Sequence, residues 1–372
     1  MQGNILPAPI SGCSSVAGNV ELSSQKRSVG LDIVRTIACV TVIISHFFLY
    51  TKFNQVPFEG ISLYLQGMLN SFPIGSDLYM MLTGFLCMNK VFGKSFYKSG
   101  LKVVISYVFI SLLTITVNRY YFGMNMSWSK GLMGILSFST IPYAWYIEMW
   151  IGLFLLSPFF NILYKAIPSK RQKQAIILIL FFLTALPDFG NRYGLYIFPA
   201  YWEDFYPLMF YLIGCYIREY QPNISKWKLV VFAFALVNIA PLFNLIVSHD
   251  DYIHIIGDRN GIVLIPLSVT IFLMFYNVSI KSEIGKTCLK GISLRSLDIF
   301  LCSAVFDHAI YPYFISKYFV DQSQFGAYIF IIIPLIFGLS FTIATIKRAL
   351  FKGLERLIAK LRHVDRLDIK LT

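Results

Sequence analysis

Residues 31–50 read Leu31-Asp32-Ile33-Val34-Arg35-Thr36-Ile37-Ala38-Cys39-Val40-Thr41-Val42-Ile43-Ile44-Ser45-His46-Phe47-Phe48-Leu49-Tyr50. Twenty residues at ~1.5 Å per residue cover ~30 Å, the hydrocarbon thickness of a bilayer. The stretch alternates at no period of two, so a membrane strand is excluded, and lipid leaves a helix as the form that satisfies its own backbone. The rest of the chain agrees. Of 372 residues, 56% are hydrophobic and only 14% charged, with 34 Phe and 23 Tyr. Soluble domains carry roughly a quarter charged residues. The expected fold is all-α, a polytopic membrane helix bundle of about ten transmembrane helices.

The apolar runs place spans at 31–50, 72–91, 100–118, 144–164, 174–190, 204–220, 228–247, 261–280, 297–316 and 325–346. A short interfacial helix is expected at 130–142. Residues 1–27 read as a flexible cytosolic leader, without the basic and apolar regions of a signal peptide. Residues 28–347 form the transmembrane domain. Residues 348–372 form a basic tail in which Leu350, Leu354, Leu357, Leu361 and Val364 recur at helical spacing, as on an amphipathic helix lying on the inner leaflet. The six cysteines (Cys13, Cys39, Cys87, Cys215, Cys288 and Cys302) show no metal-type spacing and read as small packing residues.

The net charge of +13 has a topological reading. With the N-terminus inside, the cytosolic segments hold 25 Lys and Arg and the outer segments 6. That imbalance orients both termini to the cytosol, in the cell (cytoplasmic) membrane. It also accounts for the basicity through membrane lipid rather than nucleic acid.

Ionisable groups within a span are costly and usually functional. Asp32 lies three residues before Arg35, the spacing of helical neighbours. Arg35 and His46 are eleven residues apart, which brings them within ~20° of each other around the axis and ~16 Å apart along it. The three share one face, a polar stripe running from the cytosolic end toward the outer end that suits a pathway; the alternative is a boundary ion pair of Asp32 with Arg35 and a His46 that caps the outer end. Further acid–base groups fall in the outer half: Asp77, Glu148, Asp307 and His308. Asp77 follows Gly75-Ser76 and can serve as a helix cap, and His308 can be a satisfied bundle residue.

Several stretches together resemble acyltransferase family 3, a family of integral membrane O-acyltransferases. Leu31-Asp32-x-x-Arg35-x-x-Ala38 followed by His46 is similar to its opening motif. Gly75-Ser76-Asp77-Leu78-Tyr79-Met80-Met81-Leu82-Thr83-Gly84-Phe85-Leu86 looks like its second. Trp145-Tyr146-x-x-Met149-x-x-Gly152-Leu153-Phe154-Leu155-Leu156-x-Pro158 resembles its third. Two places depart from the pattern. Lys98 and Lys102 stand, without a proline, where arginines are common, and Phe300-Leu301-Cys302-Ser303 replaces a His-containing stretch.

The resemblance implies transfer of an acyl group, commonly acetyl, from a cytosolic acyl-CoA to a hydroxyl of a cell-surface or lipid-linked glycan, with no metal. His46 would be the general base or a transient acyl carrier, since imidazole titrates near neutrality. Arg35 would meet donor phosphate or oxyanion charge, with Asp32 holding it. Glu148 and Asp77 would complete the acid–base set, and Lys98 and Lys102 would meet the phosphates of acetyl-CoA. The rival class is a transporter or flippase of a polar lipid or glycan, which a buried charged stripe also suits.

Overall fold

The computed structural model describes residues 27–53, 59–123, 127–192, 194, 196, 198–247, 261–318 and 324–368, the side chains of 191–192 and 358–368 excepted. The leader, residues 1–26, and Cys13 lie outside the described residues. Among the described residues there is no strand, and the chain is an all-α polytopic bundle. Its helices are α1 (Val29–Tyr50), α2 (Gly60–Asn70), α3 (Gly75–Cys87), α4 (Lys94–Tyr120), α5 (Trp128–Leu136), α6 (Trp145–Ala166) and α7 (Lys170–Arg192). They continue with α8 (Tyr206–Tyr220), α9 (Lys226–Val247), α10 (Leu264–Phe275), α11 (Glu283–Ser293), α12 (Ser296–Lys317) and α13 (Phe325–Asp368).

Seven helices are long and apolar enough to cross a membrane: α1, α4, α6, α7, α9, α12 and α13. The other three expected spans are realised as α3, α8 and α10, of 13, 15 and 12 residues. At ~1.5 Å per residue they reach only ~18–22 Å, short of the bilayer. They persist because protein covers them. Gly84 of α3 faces the Tyr211 carbonyl of α8, and Gly214 of α8 faces the Met81 carbonyl of α3, each so closely that a Cβ would collide with backbone. Small residues at such crossings let backbones approach, which drives association in lipid. Asn161 of α6 then clasps the end of α3, donating to Cys87 O at 2.7 Å and Lys90 O at 2.9 Å while accepting from Tyr211 at 2.7 Å.

Prolines inside α6, α7, α9, α12 and α13 remove backbone donors. At Pro158 the carbonyl left over, that of Phe154, accepts from Ser157 Oγ at 2.8 Å, the local repair that membrane helices use.

Three differences from the sequence expectation are physical. Helix α5 begins at Trp128 rather than 130, because the Ser127 side chain caps it by accepting from Lys130 N at 3.3 Å. Helix α11 arises inside what reads as a basic loop; Ser282 caps it by accepting from Gly285 N at 3.1 Å. The span 325–346 and the tail are one uninterrupted helix, α13, so no turn separates the amphipathic segment from the membrane-crossing one. Among the described cysteines none is bonded to another; Cys39, Cys215 and Cys302 are buried packing residues and Cys288 is exposed.

Candidate active site

Helix α1 carries the site at both of its ends. At its first turn Asp32 is buried, 2% exposed, in an apolar bundle. A lone carboxylate there would cost several kcal/mol, and three groups satisfy it. Arg27 forks onto it, Nε to Oδ2 at 2.7 Å and Nη2 to Oδ1 at 2.6 Å. Ser293, the last residue of α11, donates to Oδ1 at 2.6 Å. Arg35 reaches Oδ1 only through Nη1, at 3.3 Å, and the same nitrogen lies 3.4 Å from Ser293 Oγ. Asp32 therefore engages Arg27 first and Arg35 second. Arg27 was legible in sequence only as part of the leader; its position five residues before Asp32 lies outside the helical neighbour spacing. Among the described residues, Nε and Nη2 of Arg35 make no hydrogen bond.

Near the far end of α1, His46 is buried and stacked on Tyr143, ring centroids 3.6 Å apart with planes 19° from parallel. Its Nδ1 lies 3.2 Å from Oδ2 of Asp307, on α12. Asp307 is wholly buried, and the Tyr143 hydroxyl donates to its Oδ2 at 2.6 Å. The Tyr50 and Tyr143 hydroxyls are 2.9 Å apart. Since Tyr143 has one proton and Asp307 accepts it, Tyr50 is the donor of that pair. The result is a chain: Tyr50 to Tyr143 to Asp307, with His46 against the same carboxylate oxygen. Among the described residues three buried groups there make no hydrogen bond: Nδ1 of His46, which approaches Asp307 at ion-pair distance only, Oδ1 of Asp307, and the hydroxyl of Tyr311 one turn further along α12. His46 Nε2 makes no hydrogen bond among the described residues.

An aromatic ladder leads away from His46. Phe300 lies 6.5 Å from His46 between ring centroids, Tyr146 lies 5.8 Å from Phe300, and Tyr79 lies 5.9 Å from Tyr146. Tyr79 belongs to α3, Tyr146 to α6 and Phe300 to α12, so three helices contribute to the ladder. Among the described residues the buried Tyr79 hydroxyl makes no hydrogen bond. Trp150 of α6 donates to Thr83 Oγ1 of α3 at 3.3 Å, tying the second and third sequence motifs together.

The structure thus brings Asp32 with Arg35, and His46 with Asp307. The remaining candidates stand apart. Asp77 is buried in the first turn of α3, but its Oδ2 accepts from Ser268 of α10 at 2.7 Å and its Oδ1 from Ser76 at 3.1 Å, so it pins α3 to α10. It does not cap α3, whose N-cap is Ile74. Glu148 is exposed on the first turn of α6. Lys98 and Lys102 are exposed on α4, and among the described residues neither forms an ion pair. Nδ1 of His308 is satisfied by Ala304 O at 2.6 Å. Among the described residues no cluster of three or more His, Cys, Asp or Glu has metal-binding geometry.

A family model described as an acyltransferase domain, that of acyltransferase family 3, matches residues 28–345. Neither a curated protein nor a solved structure matches the chain.

Proposed function

The chain belongs to acyltransferase family 3, a membrane acyltransferase in general terms, and from that premise we propose that it carries an acyl group, acetyl foremost, from cytosolic acyl-CoA to a hydroxyl of a cell-surface or lipid-linked glycan. The observation that carries this reading is the His46–Asp307 contact at 3.2 Å, set on the same helix as a guanidinium cluster.

Asp307 faces the Nδ1 side of His46 as an electrostatic neighbour, and Nε2 acts as the basic nitrogen. His46 takes the proton from the acceptor hydroxyl as that oxygen bonds to the acyl carbon. The carbon–sulfur bond then breaks, and His46 returns the proton to the departing thiolate. Asp307 stabilises the imidazolium between the two transfers, the role a carboxylate plays beside a catalytic histidine. Stacking on Tyr143 fixes the ring, and the Tyr50–Tyr143 chain keeps the carboxylate oriented.

The donor's phosphates suit the other end of α1. Two guanidiniums, Arg27 and Arg35, face one carboxylate, so a positive charge is left over. Arg35 holds Asp32 and Ser293 through one nitrogen only, so the rest of its fork can take phosphate oxygens. Lys98 and Lys102, exposed on α4, add attraction at longer range. The ~16 Å between Arg35 and His46 matches a donor with its charge at one end of a linear arm and its thioester at the other. The ladder of Tyr79, Tyr146 and Phe300 lines that interval.

The test is mass analysis of surface glycans from cells with and without the gene. A gain of one acetyl mass that depends on the gene supports the reading. Identical glycans with the protein present in the membrane overturn it.

A further inference from the structure

Helices α7 and α9 are membrane-crossing in length, whereas α8 and α10 between them are 15 and 12 residues. The length mismatch leaves an open groove of about 830 Å³, with the long helices as walls and the short ones as floor. Phe181 of α7 and Phe232 of α9 stand on the walls, and Ile213 of α8 and Val269 of α10 on the floor. The volume falls in the ~300–1,000 Å³ range of small-ligand sites.

The groove's charged and amide groups gather at one end. Gln174, Tyr216 and Lys228 lie where α7 and α9 begin and α8 ends, the lysine-rich end of the bundle. Gln174 Nε2 donates to the Tyr216 hydroxyl at 2.8 Å. Lys228 is exposed and forms no ion pair among the described residues. The nearby carboxylate, Glu219, is already matched by Lys173 at 2.8 Å and by the Tyr164 hydroxyl at 2.7 Å. Lys226 is also committed, donating to Leu273 O, Met274 O and Asn277 Oδ1 at 2.7–2.9 Å, which fastens α9 to the end of α10. The mouth therefore holds uncompensated positive charge over a slot whose deeper polar side chain, Thr270, is spent on Pro266 O at 2.6 Å.

We infer that this groove seats one anionic membrane phospholipid, an acyl tail between α7 and α9 and its phosphate at Lys228. Headgroup charge, tail chemistry and sidedness all match. A neutral lipid matches only the apolar part, and a soluble anion only the mouth. The site is separate from the α1 machinery, so its test does not read acyl transfer.

Full-length protein is purified in mild detergent, stripped of lipid, and offered phosphatidylglycerol or phosphatidylcholine with identical chains, with retention read by native mass spectrometry. About fivefold preference for phosphatidylglycerol is expected, corresponding to the ~1 kcal/mol of one lysine near an anionic surface. Lys228→Glu should erase the preference and Lys228→Arg should keep it. Val269→Trp, which fills the floor, should release the bound lipid of either headgroup. Equal retention of the two lipids, or a preference unchanged in Lys228→Glu, overturns the inference. So does a disulfide-linked dimer formed by Leu178→Cys in membranes, since the groove would then be covered by a second copy of the chain.

Discussion

Nδ1 of His46 lies 3.2 Å from Oδ2 of Asp307, so the bundle presses together a histidine on the first membrane helix and an aspartate on the twelfth helix. Asp307→Asn keeps size and one carbonyl oxygen for the Tyr143 hydroxyl, but removes the charge that supports an imidazolium. Acyl transfer in proteoliposomes should fall by ~10²–10⁴-fold, with membrane levels of the protein unchanged. A variant within a few-fold of the parent would show that Asp307 only packs His46.

His46 itself should be indispensable. His46→Gln preserves bulk and hydrogen bonding but has no titratable nitrogen, and should lose detectable glycan acylation along with His46→Ala. Near-parent acylation by the glutamine variant would make the residue structural.

Arg35→Lys tests the donor end. The lysine keeps the charge and can still approach Asp32, yet it replaces a fork of donors by a point charge. The expected result is a raised KM for acyl-CoA with a smaller change in kcat, growing with ionic strength. An unchanged KM would assign Arg35 to the Asp32 network alone.

The α3–α8 crossing predicts a stability effect without a chemical one. Gly84→Ala pushes a methyl group into the Tyr211 carbonyl, and neither backbone can yield cheaply. A loss of ~1–3 kcal/mol is the usual scale for overpacking, read as a lower Tm in detergent. Gly152→Ala, on a glycine with nothing within 4 Å, should leave Tm near the parent's.

The charge imbalance predicts cytosolic termini. Single cysteines introduced at residues 5 and 370, in a background free of reactive thiols, should resist an impermeant reagent applied from outside intact cells. Labelling of either one from outside would reverse the assignment.

Much of this protein was legible in residue order because the deciding physics is local. Runs of about twenty apolar residues, a polar stripe at helical spacing on α1, and lysines gathered on one side of each crossing all express desolvation acting on neighbouring residues. Asp32, Arg35 and His46 emerge from that reading alone. What only the tertiary structure decided is which groups meet. Asp77, Glu148 and Asp307 look equivalent in sequence, each an acid in the outer half of the bundle. Packing sends the first to Ser268, leaves the second exposed, and presses the third against His46. Arg27 joins Asp32 because the end of α11 brings Ser293 beside both. The shortness of α3 and α10 was hidden as well, because apolar residues flanking each helix, such as Phe72 and Ile74 before α3 and Ile262 and Val263 before α10, extend the hydrophobic run beyond the hydrogen-bonded turns. Apolar pattern says that a segment leaves water; how helices approach in lipid depends on shape, on glycines such as Gly84 and Gly214, and those contacts join residues far apart in the chain.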